Sequence, residues 1–182
     1  MLSRYIPIIL LGLCVSETKF YYPENNITKT SLNSNALVDI DNNFQSFEYF
    51  KDEKIDKFEN THLIFQQSYS NIPVFGSYLR AHFNLQGKLS SLSSNIYPNL
   101  KININPTLSD SKAKEIIRAY INGDNMSLSN PQLYILIKND IPILCYKIEI
   151  IGFEDAWRYF INASSGKVDA IVWYVSAARF IA

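Results

Sequence analysis

Alternation of apolar and polar positions is sharpest in the middle of the chain. Thr61–Tyr69 (THLIFQQSY) carries β-branched and aromatic residues and predicts a strand. Ser70-Asn71-Ile72-Pro73 predicts a turn, with Asn71 able to take a positive φ. A long strand is expected over Val74–Leu85, where Leu79, Ala81, Phe83 and Leu85 alternate with Arg80, His82 and Asn84, giving one dry and one wet face. Gln86-Gly87 turns the chain and Lys88–Tyr97 returns, completing an antiparallel meander. Upstream, Phe44, Phe47, Tyr49, Ile55 and Phe58 sit among charges and suggest one or two short strands. Residues 17–43, rich in Asn, Ser and Thr with little periodicity, read as a loosely structured leader with a short helix near Asn35–Ile40.

Pro98 to Pro106 reads as an extended connector and places a domain boundary there. Beyond it the period changes. Ala113, Ile116, Ile117 and Tyr120 fall at helical spacing, so an apolar stripe would lie against a sheet. Ser109 suits the N-cap, Asp110 the first turn, and Asn122-Gly123 the stop. Strands follow at Gln132–Lys138 and Ile143–Ile151 around a turn at Asn139-Asp140-Ile141-Pro142. Two more, Trp157–Asn162 and Lys167–Tyr174, flank Ala163-Ser164-Ser165-Gly166, with Gly at the position needing positive φ. The class is α+β: an N-terminal antiparallel β meander, then one helix across an antiparallel sheet. The halves are not sequence repeats of each other.

Tyr5–Val15 is an apolar run preceded by Arg4, too short to span a bilayer of about 20 apolar residues. It reads as a signal peptide over residues 1–16, with Cys14-Val15-Ser16 as the cleavage site. The rival is a lipoprotein signal with Cys14 lipidated, against which Leu13 stands where a small residue is wanted. A buried strand is disfavoured by Pro7 and Gly12. No transmembrane segment is expected. With 17 Lys+Arg against 17 Asp+Glu and no basic run, the chain lacks the face that phosphate neutralisation requires, which argues against nucleic acid as a partner. Two cysteines, Cys14 and Cys145, exclude a disulfide framework and a Cys-only zinc site.

Catalytic machinery is missing from the pattern. The histidines are His62 and His82, and neither belongs to a His-Glu-x-x-His helix. They could meet across paired strands, but two imidazoles without a carboxylate pair make a poor metal site. There is no Gly-x-Ser-x-Gly elbow or phosphate loop, and Cys145 sits in an apolar run, so it reads as a small core residue. Aromatic pairs (Tyr21-Tyr22, Trp157/Tyr159, Trp173/Tyr174) read as face fillers at strand period, with stacking on sugars or bases as the rival. Asn26, Asn125 and Asn162 open glycosylation sequons, which matter only in a eukaryotic secretory pathway. No cofactor, catalytic residue or metal ligand is expected, and the chain reads as a non-enzyme.

One stretch is specific. HLIFQQSYSNIPVFGS, at His62–Ser77, resembles the core of the propeptide of thermolysin- and fungalysin-type secreted metalloproteases, a strand His-apolar-x-Phe-Gln-Gln-x-Tyr followed by a turn and Ile-Pro-Val-Phe-Gly. The matching residues are His62, Phe65, Gln66, Gln67, Tyr69, Ile72, Pro73, Val74, Phe75 and Gly76, with His82 in the next strand; Asn71 stands where that family usually has Gly. The second half resembles the PepSY module of the same propeptides: Pro106-Thr107-Leu108-Ser109 opens the helix, Tyr146–Ile150 matches a strand, and Trp157–Ala163 with Gly166-Lys167-Val168 matches the closing hairpin. The likeness covers roughly Phe44 to Asp169.

The resemblance implies an FTP-like propeptide domain at 44–98, a cystatin-like PepSY domain at 106–175 and a tail at 176–182. It carries over folding-helper and inhibitor chemistry but no active site. A secreted, extracellular or periplasmic, non-catalytic prodomain is expected to chaperone or inhibit a secreted zinc metalloprotease in trans. Arg179, Phe180, Ile181 and Ala182 could lie in that partner's cleft as a product-like peptide; the plainer reading is that Ile171–Val175 finishes the sheet. The alternatives are a truncated remnant of a protease precursor and an extracellular PepSY binding module with another ligand.

Overall fold

The computed structural model describes residues 17–23, 26–33, 36–37, 40–41, 49–121, 127–151 and 156–174. The chain divides into two units between Lys101 and Ile102, inside the Pro-flanked stretch.

The first unit is an antiparallel sheet of β1 (Lys19–Tyr21), β2 (Tyr49–Ile55), β3 (Thr61–Tyr69), β4 (Ile72–Phe83) and β5 (Leu89–Ser94), in the order β1-β5-β4-β3-β2. The β3–β4 turn is tighter than the sequence pattern suggested. Ser70 and Asn71 alone form it, with φ 50° and 63°, a handedness that matches the strand twist. Ile72 and Pro73 are therefore strand residues, paired with Tyr69 and Ser68. At the far end, Asn84 closes β4: its Oδ1 accepts from Gln86 N (3.1 Å) and Lys88 N (2.9 Å), and Gly87 takes φ 70°. Leu85 consequently lies in the turn, 59% exposed, and not on the dry face as the alternation implied.

Leu63, Leu79, Ala81, Phe83, Leu89, Leu92 and Ile96 build the core on one side of this sheet. The leader covers it. Ile27 and Leu37 are buried in the same cluster, with Tyr21, Leu32 and Ile40 packed against it. Asn33 Oδ1 accepts from Ala36 N (3.0 Å), and Leu37 N and Asp41 N donate to Asn33 O and Leu37 O, which makes a helical turn. The Tyr21 hydroxyl donates to Asp41 Oδ2 at 2.6 Å; burial and that carboxylate push its pKa up to about 12. The leader is thus less loose than its composition implied, because a few apolar residues spaced along a polar stretch suffice to anchor it. Phe44 and Phe47 lie outside the described residues.

The second unit holds α1 (Asp110–Ile121) and an antiparallel sheet ordered β7 (Gln132–Lys138), β8 (Ile141–Ile151), β9 (Ala156–Asn162), β10 (Val168–Tyr174). The short β6 (Ser127–Leu128) pairs with the end of β8 at Ile150 and Ile151. Ser109 caps α1, its Oγ accepting from Lys112 N at 3.2 Å. Ala113 and Ile117 are fully buried, whereas Tyr120 is 54% exposed and touches Tyr159 edge-on, so the buried stripe is narrower than the spacing implied. Asn122-Gly123 lies outside the described residues. The β7–β8 turn repeats the earlier pattern: Asn139 and Asp140 (φ 51° and 61°) make it, and Ile141-Pro142 begins β8. The fold of the described residues is α+β, mostly antiparallel sheet with one long helix. Among the described residues no helix is long and apolar enough to cross a membrane.

Candidate functional site

The residues carrying the propeptide resemblance converge on β3, β4 and the segment after β5. The ladder is regular from Thr61↔Phe83 to Gln66↔Tyr78, then slips, so that Ser68 faces Pro73 and Gln67 alone faces Val74–Ser77. A bulge of this kind leaves backbone groups without ladder partners, and the side chains of Gln66 and Asn95 meet part of that demand while Gln67 ties the bulge to the segment after β5. Gln66 Nε2 donates to Val74 O at 3.1 Å. Gln67 Nε2 donates to Tyr97 O (2.7 Å), while its Oε1 accepts from Tyr97 N (2.9 Å) and the Ser77 hydroxyl (2.5 Å). Asn95 completes the brace: its Nδ2 donates to Gly76 O (2.5 Å) and its Oδ1 accepts from Tyr78 N (3.2 Å).

Gln66, Gln67, Ser77 and Asn95 are all buried, and among the described residues no buried side-chain nitrogen or oxygen lacks a hydrogen bond. A satisfied polar network in a low-dielectric interior specifies one geometry, because any shifted register would orphan several of its groups. Gly76 supports the bulge through its φ of 78°; space is not the constraint, since an added Cβ would meet nothing within 4 Å. Val74 is fully buried, Phe65 packs on the core cluster, and Tyr69, Pro73 and Phe75 are partly buried beside the turn and bulge. Ser77, Asn95 and Tyr97 escaped the sequence reading. They read as ordinary members of the expected strands Val74–Leu85 and Lys88–Tyr97, and only the bulge gives them a role.

His62 and His82 face each other across β3 and β4. Their Nδ1 atoms are 2.8 Å apart, their rings meet edge-on at 5.0 Å, and His62 Nε2 lies 3.2 Å from Asp56 Oδ2. Asp56 is itself the hub of the β2–β3 turn: Oδ1 accepts from Phe58 N (2.8 Å) and Asn60 N (3.0 Å), and Oδ2 from Asn60 Nδ2 (3.1 Å). The Asn60 side-chain hydrogen bond, with those backbone N–H groups and His62, outweighs desolvation and holds the carboxyl at about 2. Burial, then His62 and Arg80, push the His82 pKa down.

Elsewhere, polar clusters hold the second sheet together. Lys138 and Asn162 Nδ2 (3.1 Å) both reach Asp169, and Glu149 pairs with Arg158 (2.9 Å) and Lys147 (3.3 Å). Asn162 also caps its own hairpin by accepting from Ser164 N and Ser165 N, so this sequon asparagine is engaged in the turn. Cys145 is fully buried, and burial, with Asp169, pushes its thiol up to about 12, far from a usable thiolate. No three metal-type ligands converge among the described residues. Arg179, Phe180, Ile181 and Ala182 lie outside them, as do residues 1–16.

Comparison with known proteins adds an independent line. Residues 47–96 match the Fungalysin/Thermolysin Propeptide Motif. Thermolysins from Alicyclobacillus acidocaldarius subsp. acidocaldarius and Bacillus caldolyticus are each 30% identical over 130 residues, covering 64% of this chain and 23% of those proteins. Bacillolysin from Brevibacillus brevis is 27% identical over 136 residues, covering 67% of this chain and 26% of that protein. The chain therefore spans about a quarter of the curated relatives it matches. Among solved structures, the Bacillus megaterium YpeB C-terminal domain superposes with a TM-score of 0.51 at 16% identity, over 86% of this chain and 72% of that one, a likeness of fold. The motif spans β3, its glutamines and the bulged β4 that they brace, so the chain is protease-propeptide-like, carrying the Fungalysin/Thermolysin Propeptide Motif and related in sequence to thermolysin and bacillolysin.

Proposed function

We propose that this chain is a secreted, non-catalytic prodomain that assists the folding of a thermolysin-type zinc metalloprotease and inhibits it. The observation that carries the reading is the coincidence of the matched motif with a braced, fully satisfied strand pair. A rigid surface loses little conformational entropy on binding, so more of its contact energy goes into holding a partner's near-native state. Binding that state more tightly than the unfolded chain stabilises it by mass action and lowers the barrier leading to it. The helix laid on an antiparallel sheet supports reading the second unit as the PepSY-type, cystatin-like module of the same propeptides. The segment Arg179–Ala182 is the part we propose reaches the protease cleft.

The test mixes the full chain with a denatured, then diluted, thermolysin-type protease and separately with the active enzyme. The reading expects a higher refolding yield and slower peptide hydrolysis, and removal of the last six residues should weaken inhibition at least roughly tenfold, about 1.4 kcal/mol. Absence of both effects would reject it. Trp173, 51% exposed and cross-strand from Trp157, favours a second reading, an extracellular module with another ligand; capture of a non-protease partner through that pair would support it.

A further inference from the structure

We propose that His62 and His82 form a one-proton latch that loosens the first unit as its surroundings acidify. Hydrogen-bonding capacity constrains where the protons of the pair can sit. A contact of 2.8 Å between two Nδ1 atoms needs one of them to carry a proton and the other a lone pair. Asp56, a carboxylate over the whole neutral range, faces His62 Nε2 and can only accept, which fixes a proton on that nitrogen. With both rings neutral, His82 Nδ1–H donates to His62 Nδ1. One added proton is accommodated: it lands on His82 Nε2 while the shared proton shifts from His82 Nδ1 to His62 Nδ1, so that His62 donates to Asp56 and to His82, whose Nδ1 now accepts. A second proton sets N–H against N–H and cation against cation, and the contact cannot survive.

The surroundings offer the second charge little relief. Arg80, two positions away on β4, is a further cation. Lys54 stands across from His62 on β2, with its Nζ 3.7 Å from Asp52. Ser91 stands across from His82 on β5 and is neutral, and the Ser90 hydroxyl donates to the His82 carbonyl, not its ring. Asp56 reaches His62 alone among the pair. The latch spans the β2–β3 turn, β3 and β4, so its loss unties the turn from the sheet beneath it. His82 takes up a proton less readily in the fold than in the unfolded chain, so stability falls as pH drops below about 6.5 and continues to fall until His82 protonates in the fold.

The inference does not depend on the propeptide reading, because its test contains no protease. Imidazole nitrogen resonances of the full chain are followed from pH 8 to 4.5. His82 is expected to stay mainly neutral at pH 5.5, where a free histidine is about nine-tenths protonated. Both rings cationic there, with the β3–β4 contact intact, would overturn the proposal. In urea, followed by amide resonances of β3 and β4, the wild-type folding equilibrium should drop roughly ten- to thirtyfold more than that of His82→Gln between pH 7.5 and 5.0. Parallel profiles would also overturn it. If His82→Gln does not fold, the wild-type titration decides alone.

Discussion

At the scale of single residues, two glycines separate conformational demand from steric demand. Gly76 and Gly166 both hold positive φ, 78° and 74°. A Cβ on Gly76 meets open space, whereas one on Gly166 falls 2.9 Å from Ile116 Cδ1 and 3.3 Å from Leu108 Cδ1. Gly76→Ala should therefore cost about 1–2 kcal/mol, the left-handed penalty alone. Gly166→Ala adds the displacement of two terminal side-chain methyls and should cost about 1–3 kcal/mol, somewhat more than Gly76→Ala. Urea denaturation of the two variants checks the order; equal losses would contradict it. Gln67→Leu should cost about 1–3 kcal/mol, since it removes the amide that pairs with the part-buried Tyr97 N–H and carbonyl and accepts from the buried Ser77 hydroxyl. A loss below about 1 kcal/mol in the same measurement would mean that water replaces the amide at little cost.

At the scale of elements, the leader is the sharpest case. Leu37 is 4% exposed and sits in the same apolar cluster as Phe83 and Leu92. Leu37→Ala should cost about 2–4 kcal/mol, as for any large-to-small change in a core; a merely tethered leader would lose almost nothing, and thermal unfolding distinguishes the two. The strands and α1 were legible because alternation and helical spacing report directly on which face is dry. Their ends were less so. In both Ser-Asn-Ile-Pro and Asn-Asp-Ile-Pro, proline suggested a four-residue turn, but two left-handed residues close each hairpin and the proline opens the next strand. Of the leader only the short helix near Asn35–Ile40 was legible; its docking was not, because its few apolar anchors have no period and their partners lie far along the chain. Of the candidate site, Gln66 and Gln67 were visible only as a motif. Their partners Ser77, Asn95 and Tyr97 are set by the β4 bulge, which no local pattern announces.

At the scale of the whole molecule, the two units should respond differently to acid. In the second, burial alone would raise the Glu149 carboxyl, but Arg158 and Lys147 hold it below the ordinary carboxylate value. A depressed carboxyl contributes stability that is present above about pH 4.3 and fades as pH falls through its folded value. The first unit, with the histidine latch, should begin to weaken near pH 6.5, well before the second. Residue-resolved amide exchange along a pH series would show β3 and β4 losing protection before β8 and β9; simultaneous loss would contradict this. For a prodomain, such an order would place the loosening in the unit that carries the propeptide motif.

In the function we propose, the braced scaffold serves a protease. The most direct measurement is the refolding yield of a denatured thermolysin-type zinc protease with and without an equimolar amount of the full chain, paired with the residual activity of the folded enzyme. The account predicts a raised yield and suppressed activity, both diminished in Gln67→Leu. Unchanged yield and unchanged activity with the well-folded wild-type chain would contradict it.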